Sequence, residues 1–186
     1  LDSEGYYGIK KASKQQLESV VSSVFGMPRA IELVVGMLSI NPFLNLSDVI
    51  RQYYENNNAA GILVQDNYKR LNLYSRAVID ALSVYRYPVP LGAVSYLLEP
   101  FLPVVGIDKI VSELARSCLV QINRETKTLS IHPLDQECAY SHLPREDVYG
   151  AIYSKKSLEI RAAEYYLHNR LPENKWRSID DLQPLL

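Results

Sequence analysis

Two short stretches hold residues whose types and spacing could do chemistry. Ile131-His132-Pro133-Leu134 puts a histidine where a strand pattern hands over to a helix pattern, and Gly26-Met27-Pro28 puts a glycine and a proline between two helix patterns. Pro133 suits the first turn of a helix, because its missing N–H would be unpaired there anyway. Asp135, Gln136 and Glu137 fill the acidic first turn that a helix dipole favours. His132 is therefore expected at a helix N-terminus, where a neutral imidazole can donate a hydrogen bond to an anion and the helix end itself suits phosphate. Taken alone, His132 reads more readily as only a polar residue at a strand end. Pro28 offers a rigid apolar ring with fixed φ, a suitable surface against a flat base. Taken alone, it is a helix-starting proline after a C-capping glycine.

The elements that must position these residues follow from periodicity. Leu119 to Asn123 and Thr128 to His132 alternate with period two around the polar run Arg124-Glu125-Thr126-Lys127, which predicts two strands and a four-residue hairpin loop. Leu129 and Ile131 share one face of the second strand, and Thr128, Ser130 and His132 the other. Three helix patterns precede the hairpin, marked by Val78, Ala81, Leu82 and Tyr85, by Val94, Leu97, Leu98 and Phe101, and by Ile107, Ile110, Val111 and Leu114. Pro88, Pro90, Pro100 and Pro103 separate them. Three helices followed by a two-stranded hairpin is the order of a winged helix, expected over 61–145.

Upstream, Ser13 and Gln16 form a capping-box signature, followed by Leu17, Val20, Val21 and Val24 at helical spacing. Gly26 stops that helix. Pro28 opens the next, with Ile31, Val34, Val35 and Leu38, and Asn41-Pro42 ends it. A further helix is expected over Ser47 to Glu55, so that 10–60 reads as a small helical domain, and another over Gly61 to Leu71 follows it. Beyond the hairpin, Leu134 to Leu143 and Ser154 to Arg170 are helical in pattern, followed by Trp176 and Leu182. The region 146–186 reads as the start of a TPR-like helical array. The fold class expected is mainly α: a helical bundle, a winged helix and the beginning of an array.

Composition narrows the function classes. Of 186 residues, 47% are hydrophobic and 22% charged, ordinary for a globular protein long enough to bury a core. Net charge is -1, with 20 basic and 21 acidic residues, so no global field draws the chain to nucleic acid or anionic membrane. No apolar run approaches the ~20 residues of a membrane span, and no signal-peptide pattern opens the chain. The only cysteines, Cys118 and Cys138, form no framework spacing, which fits a reducing, cytoplasmic setting. A set of Cys118, His132, Cys138 and His142 follows no C-x2-C pattern, so no metal site is expected. No Ser/His/Asp, paired-carboxylate or H-E-x-x-H constellation is present, and no catalytic residue is expected.

With Gly26-Met27-Pro28 between two helices and Ile131-His132-Pro133-Leu134 closing a winged helix, the chain resembles the C-terminal part of STAND-class signalling NTPases. These are NB-ARC-like ATPases, here of the bacterial type with a helical-repeat C-terminus. The resemblance covers nearly the whole chain, and it rests more on the order of elements than on either motif. It implies a nucleotide switch in which the motif proline packs near the adenine and the winged-helix histidine contacts the β-phosphate of ADP in the closed form. Gly26, Pro28 and His132 are the positions that match. Plant relatives carry G-L-P-L where this chain has Gly26-Met27-Pro28-Arg29, and His-Asp where it has His132-Pro133, so any role of that aspartate is absent.

No G-x-x-x-x-G-K-[ST] occurs, so the chain by itself is not expected to hydrolyse ATP. The resemblance makes 1–9 a remnant of a P-loop domain and that upstream domain of the same protein the main holder of ADP or ATP. It implies self-association of the longer protein and a protein ligand for the array. Two other readings remain open. A DNA-binding winged helix would use the third helix, but Asp108, Lys109, Glu113 and Arg116 there sum to zero charge, so DNA is not the expected partner. A protein-interaction module would draw on the 14 tyrosines as contact surface.

Overall fold

Ser13 caps the first helix, α1 (Lys14–Ser23), through the full capping box with Gln16 that the sequence predicts. The computed structural model describes residues 12–24, 26–40, 43–53, 59–103, 106–146 and 151–169. Gly26 takes the left-handed conformation, with φ of 65°, and donates its N–H to Val21 O at 2.8 Å, turning the chain into α2 (Pro28–Ile40). Then come α3 (Leu46–Tyr53), α4 (Ala59–Arg70) and α5 (Leu73–Val84). The third and fourth helices begin one or two residues earlier than periodicity suggests. Asn72 caps α5 by accepting from Ser75 N–H.

α5 is the helix the others pack around. Every residue from Ala77 to Ser83 is buried, because α6 (Leu91–Leu98), α7 (Ile107–Arg116), α8 (Pro133–His142) and α9 (Lys155–Asn169) all pack on it. α4 bridges α2 and α8. One continuous apolar core runs from Val20 in α1 to Ala162 in α9. At the far side α2 meets the corner that follows α7. A Cβ on Gly36 would lie 2.2 Å from Ser117 O, so only glycine lets the two backbones approach this closely.

The sheet differs from expectation. Strands β1 (Val89–Pro90), β2 (Gln121–Asn123) and β3 (Thr128–Ser130) form a three-stranded antiparallel sheet in the order β1-β3-β2, where a two-stranded hairpin was expected. Val89 pairs with Leu129 and Pro90 with Thr128. Two residues are too short to alternate, and Pro90 is tolerated because it lies on an edge strand. The hairpin itself follows the sequence: Asn123 pairs with Thr128 across the four residues 124–127. Asn123 Oδ1 accepts from Glu125 N–H and Thr126 N–H, and Lys127 closes the turn at φ of 55°.

α9 is fastened by tyrosines and one arginine. Arg161 donates twice to Tyr96 O at the end of α6 and lies over the Tyr96 ring, while Tyr166 meets Tyr85 edge-on. Tyr153, just before α9, donates to Asp80 at 2.9 Å, and Tyr68 in α4 donates to the other carboxylate oxygen at 2.7 Å. One buried carboxylate thereby ties α4, α5 and the entry to α9. The residues from 170 onward, and those before 12, lie outside the described residues. Among the described residues no helix is long and apolar enough to cross a membrane.

Burial raises the Asp80 carboxyl from 3.8 to about 6, and the two tyrosine donors only partly oppose it. A carboxyl whose folded value lies above its unfolded value gives stability at low pH that is lost as pH rises. Asp80 therefore costs stability between about pH 4 and pH 6, up to roughly 3 kcal/mol for a two-unit shift. Asp80→Asn is expected to remove that part of the slope in urea unfolding series at pH 4.5 and 7. Identical pH slopes in the two proteins would refute the assignment.

Candidate functional site

His132 is the N-cap of α8, with φ of -65° and ψ of 144°. Its Nδ1 accepts the Leu134 N–H at 3.2 Å, so the imidazole satisfies one of the orphan donors of its own helix. Nδ1 is therefore unprotonated in this arrangement and the ring proton sits on Nε2. The ring is half-buried, and Nε2 has no hydrogen-bond partner among the described residues. Leu134 N–H is taken by the ring and Gln136 N–H by His132 O, so Nε2–H is the donor this corner can offer an anion at the positive end of α8.

Gly26 and Pro28 are both exposed, and a Cβ on Gly26 would meet nothing within 4 Å. They form an open corner where α1 ends and α2 starts. Met27 packs against the core between them. Pro28 thus presents its ring outward, as a residue that meets a flat apolar partner must.

The two motifs are joined by residues next to them. Arg29 follows Pro28, Asp135 sits in the first turn of α8 three residues after His132, and the two side chains form an ion pair across 106 residues of sequence. Side-chain exposure is 6% for Arg29 and 5% for Asp135, so the pair is inside the protein. Nη1 of Arg29 also donates to Cys118 O and to Glu32, each at 2.8 Å. Its Nε is buried and has no hydrogen-bond partner among the described residues. Burial outweighs the pull of Arg29 and lifts the Asp135 carboxyl above its usual range. On the opposite side Gln136 donates to Ser83 O and Tyr85 O at 3.2 and 2.6 Å, fixing the same turn of α8 to the end of α5.

A comparison with protein families, curated proteins and solved structures finds no match. The site is therefore read from its own geometry.

Arg29 and Asp135 are the residues sequence reasoning missed as a pair. A signal existed: Arg29, Leu33 and Gly36 fall on one helical face that is otherwise buried, so a charge there needs a partner. The imagined cysteine and histidine set is not assembled. Cys138 and His142 lie 3.9 Å apart on α8, whereas Cys118 borders Arg29, and no group of three or more potential metal ligands occurs among the described residues. His168 is exposed on α9.

The cap separates two roles of His132. His132→Ala should lower stability by about 1 kcal/mol through the lost cap, while His132→Asn, a better N-cap, should keep or raise it. Urea unfolding of both variants checks this. Equal losses in the two would show that His132 does not cap α8.

Proposed function

We propose that the chain is the regulatory part of a nucleotide switch of the STAND type, clamping ADP in a closed state and coupling nucleotide exchange to oligomerisation. The observation that carries this reading is the ion pair of Arg29 with Asp135. It joins the first turn of α2, which Pro28 begins, to the first turn of α8, which His132 caps, although the two are far apart in sequence. Two side chains suit such a ligand chemically, an exposed proline and an imidazole N–H with no partner among the described residues. Pro28 would pack against the base and the Nε2–H of His132 would donate to a phosphate oxygen, with Gly26 keeping the corner open. In this reading the main phosphate contacts and any Mg²⁺ would belong to an upstream P-loop domain, since no G-x-x-x-x-G-K-[ST] occurs in these 186 residues.

The order of elements supports the same reading. In this reading α5, α6 and α7 with the three-stranded sheet would form the winged helix, with the 124–127 loop as its wing, and α9 would be the first helix of a TPR-like array. A DNA-binding reading gains no support, because the exposed charges of α7, Asp108, Lys109, Glu113 and Arg116, cancel.

The test uses the protein extended upstream to include a P-loop. It is purified with His132 or with His132→Asn, denatured, and its bound nucleotide quantified by chromatography. Retained ADP that falls at least about tenfold in the variant, equal to roughly 1.4 kcal/mol, supports the clamp. Nucleotide content indifferent to the substitution would sink it.

A further inference from the structure

We propose that the Arg29–Asp135 pair is a releasable latch, holding the first turn of α2 to the first turn of α8 when closed and leaving both charges satisfied when open. The proposal rests on the nucleotide-switch reading for its purpose and on the geometry of the pair for its existence.

The connection it makes is narrow. α8 packs chiefly on α5 and α4, and α2 chiefly on α4, while α2 and α8 share no broad helix-helix face. Asp135 and Ala139 are the buried residues of α8, and Ala139 belongs to the main core. Asp135 is therefore the residue by which the first turn of α8 holds α2, just as Gln136 holds that turn to α5.

Three features make it releasable. A buried ion pair returns about what its desolvation costs, so it fixes geometry while adding little net stability. Burial winning over Arg29 at Asp135 reflects the same balance. Each partner also has somewhere to go. Arg29 keeps Glu32, its i,i+3 neighbour on α2, whose side chain is 50% exposed. Asp135 keeps the positive end of α8, where a first-turn carboxylate is favoured in water. A pair built only as a strut would leave one charge stranded on opening, whereas here neither is.

Arg29 and Asp135 are thus positioning residues, acting on the ligand through the placement of Pro28 and His132. The test reads that placement. Spin labels go on exposed Val21 of α1 and exposed Leu134 of α8, at 43% and 40% exposure, in the 186-residue chain with both native cysteines replaced by serine. Pulsed dipolar distances are compared for Arg29→Met, Asp135→Asn and the parent. A second, longer distance population in both variants, with the core still folded by circular dichroism, is the expected result. One unchanged narrow distribution in both variants overturns the latch and leaves the pair a strut.

Nucleotide retention in the P-loop-containing protein separates the two proposals. ADP lost with His132→Asn and with Arg29→Met supports both. ADP lost with His132→Asn alone overturns the latch only. ADP indifferent to both variants removes the nucleotide reading, and the distance measurement then decides the latch by itself.

Discussion

A guanidinium and a carboxylate removed from water must find each other, and that requirement ties the first half of this chain to the second. Arg29 lies on the buried face of α2 and Asp135 on the buried face of α8, and neither could stay there alone, since an unpaired buried charge costs several kcal/mol. Their pairing fixes where the start of α2 stands against the start of α8. Both helices begin with proline, which has no N–H to leave unpaired at that end. Packing elsewhere supplies the stability; this pair supplies the register.

The rest of the architecture makes that register possible. α5, buried along its length, carries the core and receives α8 through Gln136 and Ala139. The missing Cβ of Gly36 lets α2 sit against the backbone of Ser117, which in turn sets the Cys118 carbonyl where Arg29 can reach it. At the other end of α5, Asp80 collects hydroxyl donors from α4 and from the entry to α9. α9 is thus fastened to the same scaffold that holds the candidate site.

Local signals were legible and long-range ones were not. The capping box of Ser13 and Gln16, the left-handed Gly26, the proline starts of α2 and α8 and the loop 124–127 depend on neighbouring residues, and each reads directly from sequence. β1 was missed because two residues carry no period, and its pairing with β3 is set by tertiary contact. The candidate site was legible as two separate motifs. What joins them was hidden, because Arg29 looked like a departure from a family pattern and Asp135 like an ordinary first-turn acid. Partner choice between distant charges has no local signature.

The most direct test of the account is a double-mutant cycle on the 186-residue chain, with Arg29→Met, Asp135→Leu and the two combined, measured by urea unfolding. The account predicts that each single change is destabilising by about 2 kcal/mol, less than the full cost of a stranded buried charge because the remaining partner can open toward Glu32 or water, and that the double variant recovers most of the loss. The coupling should then exceed about 2 kcal/mol. Additive effects would contradict it, showing that Arg29 and Asp135 do not depend on one another and that the two motifs are not held together by this pair.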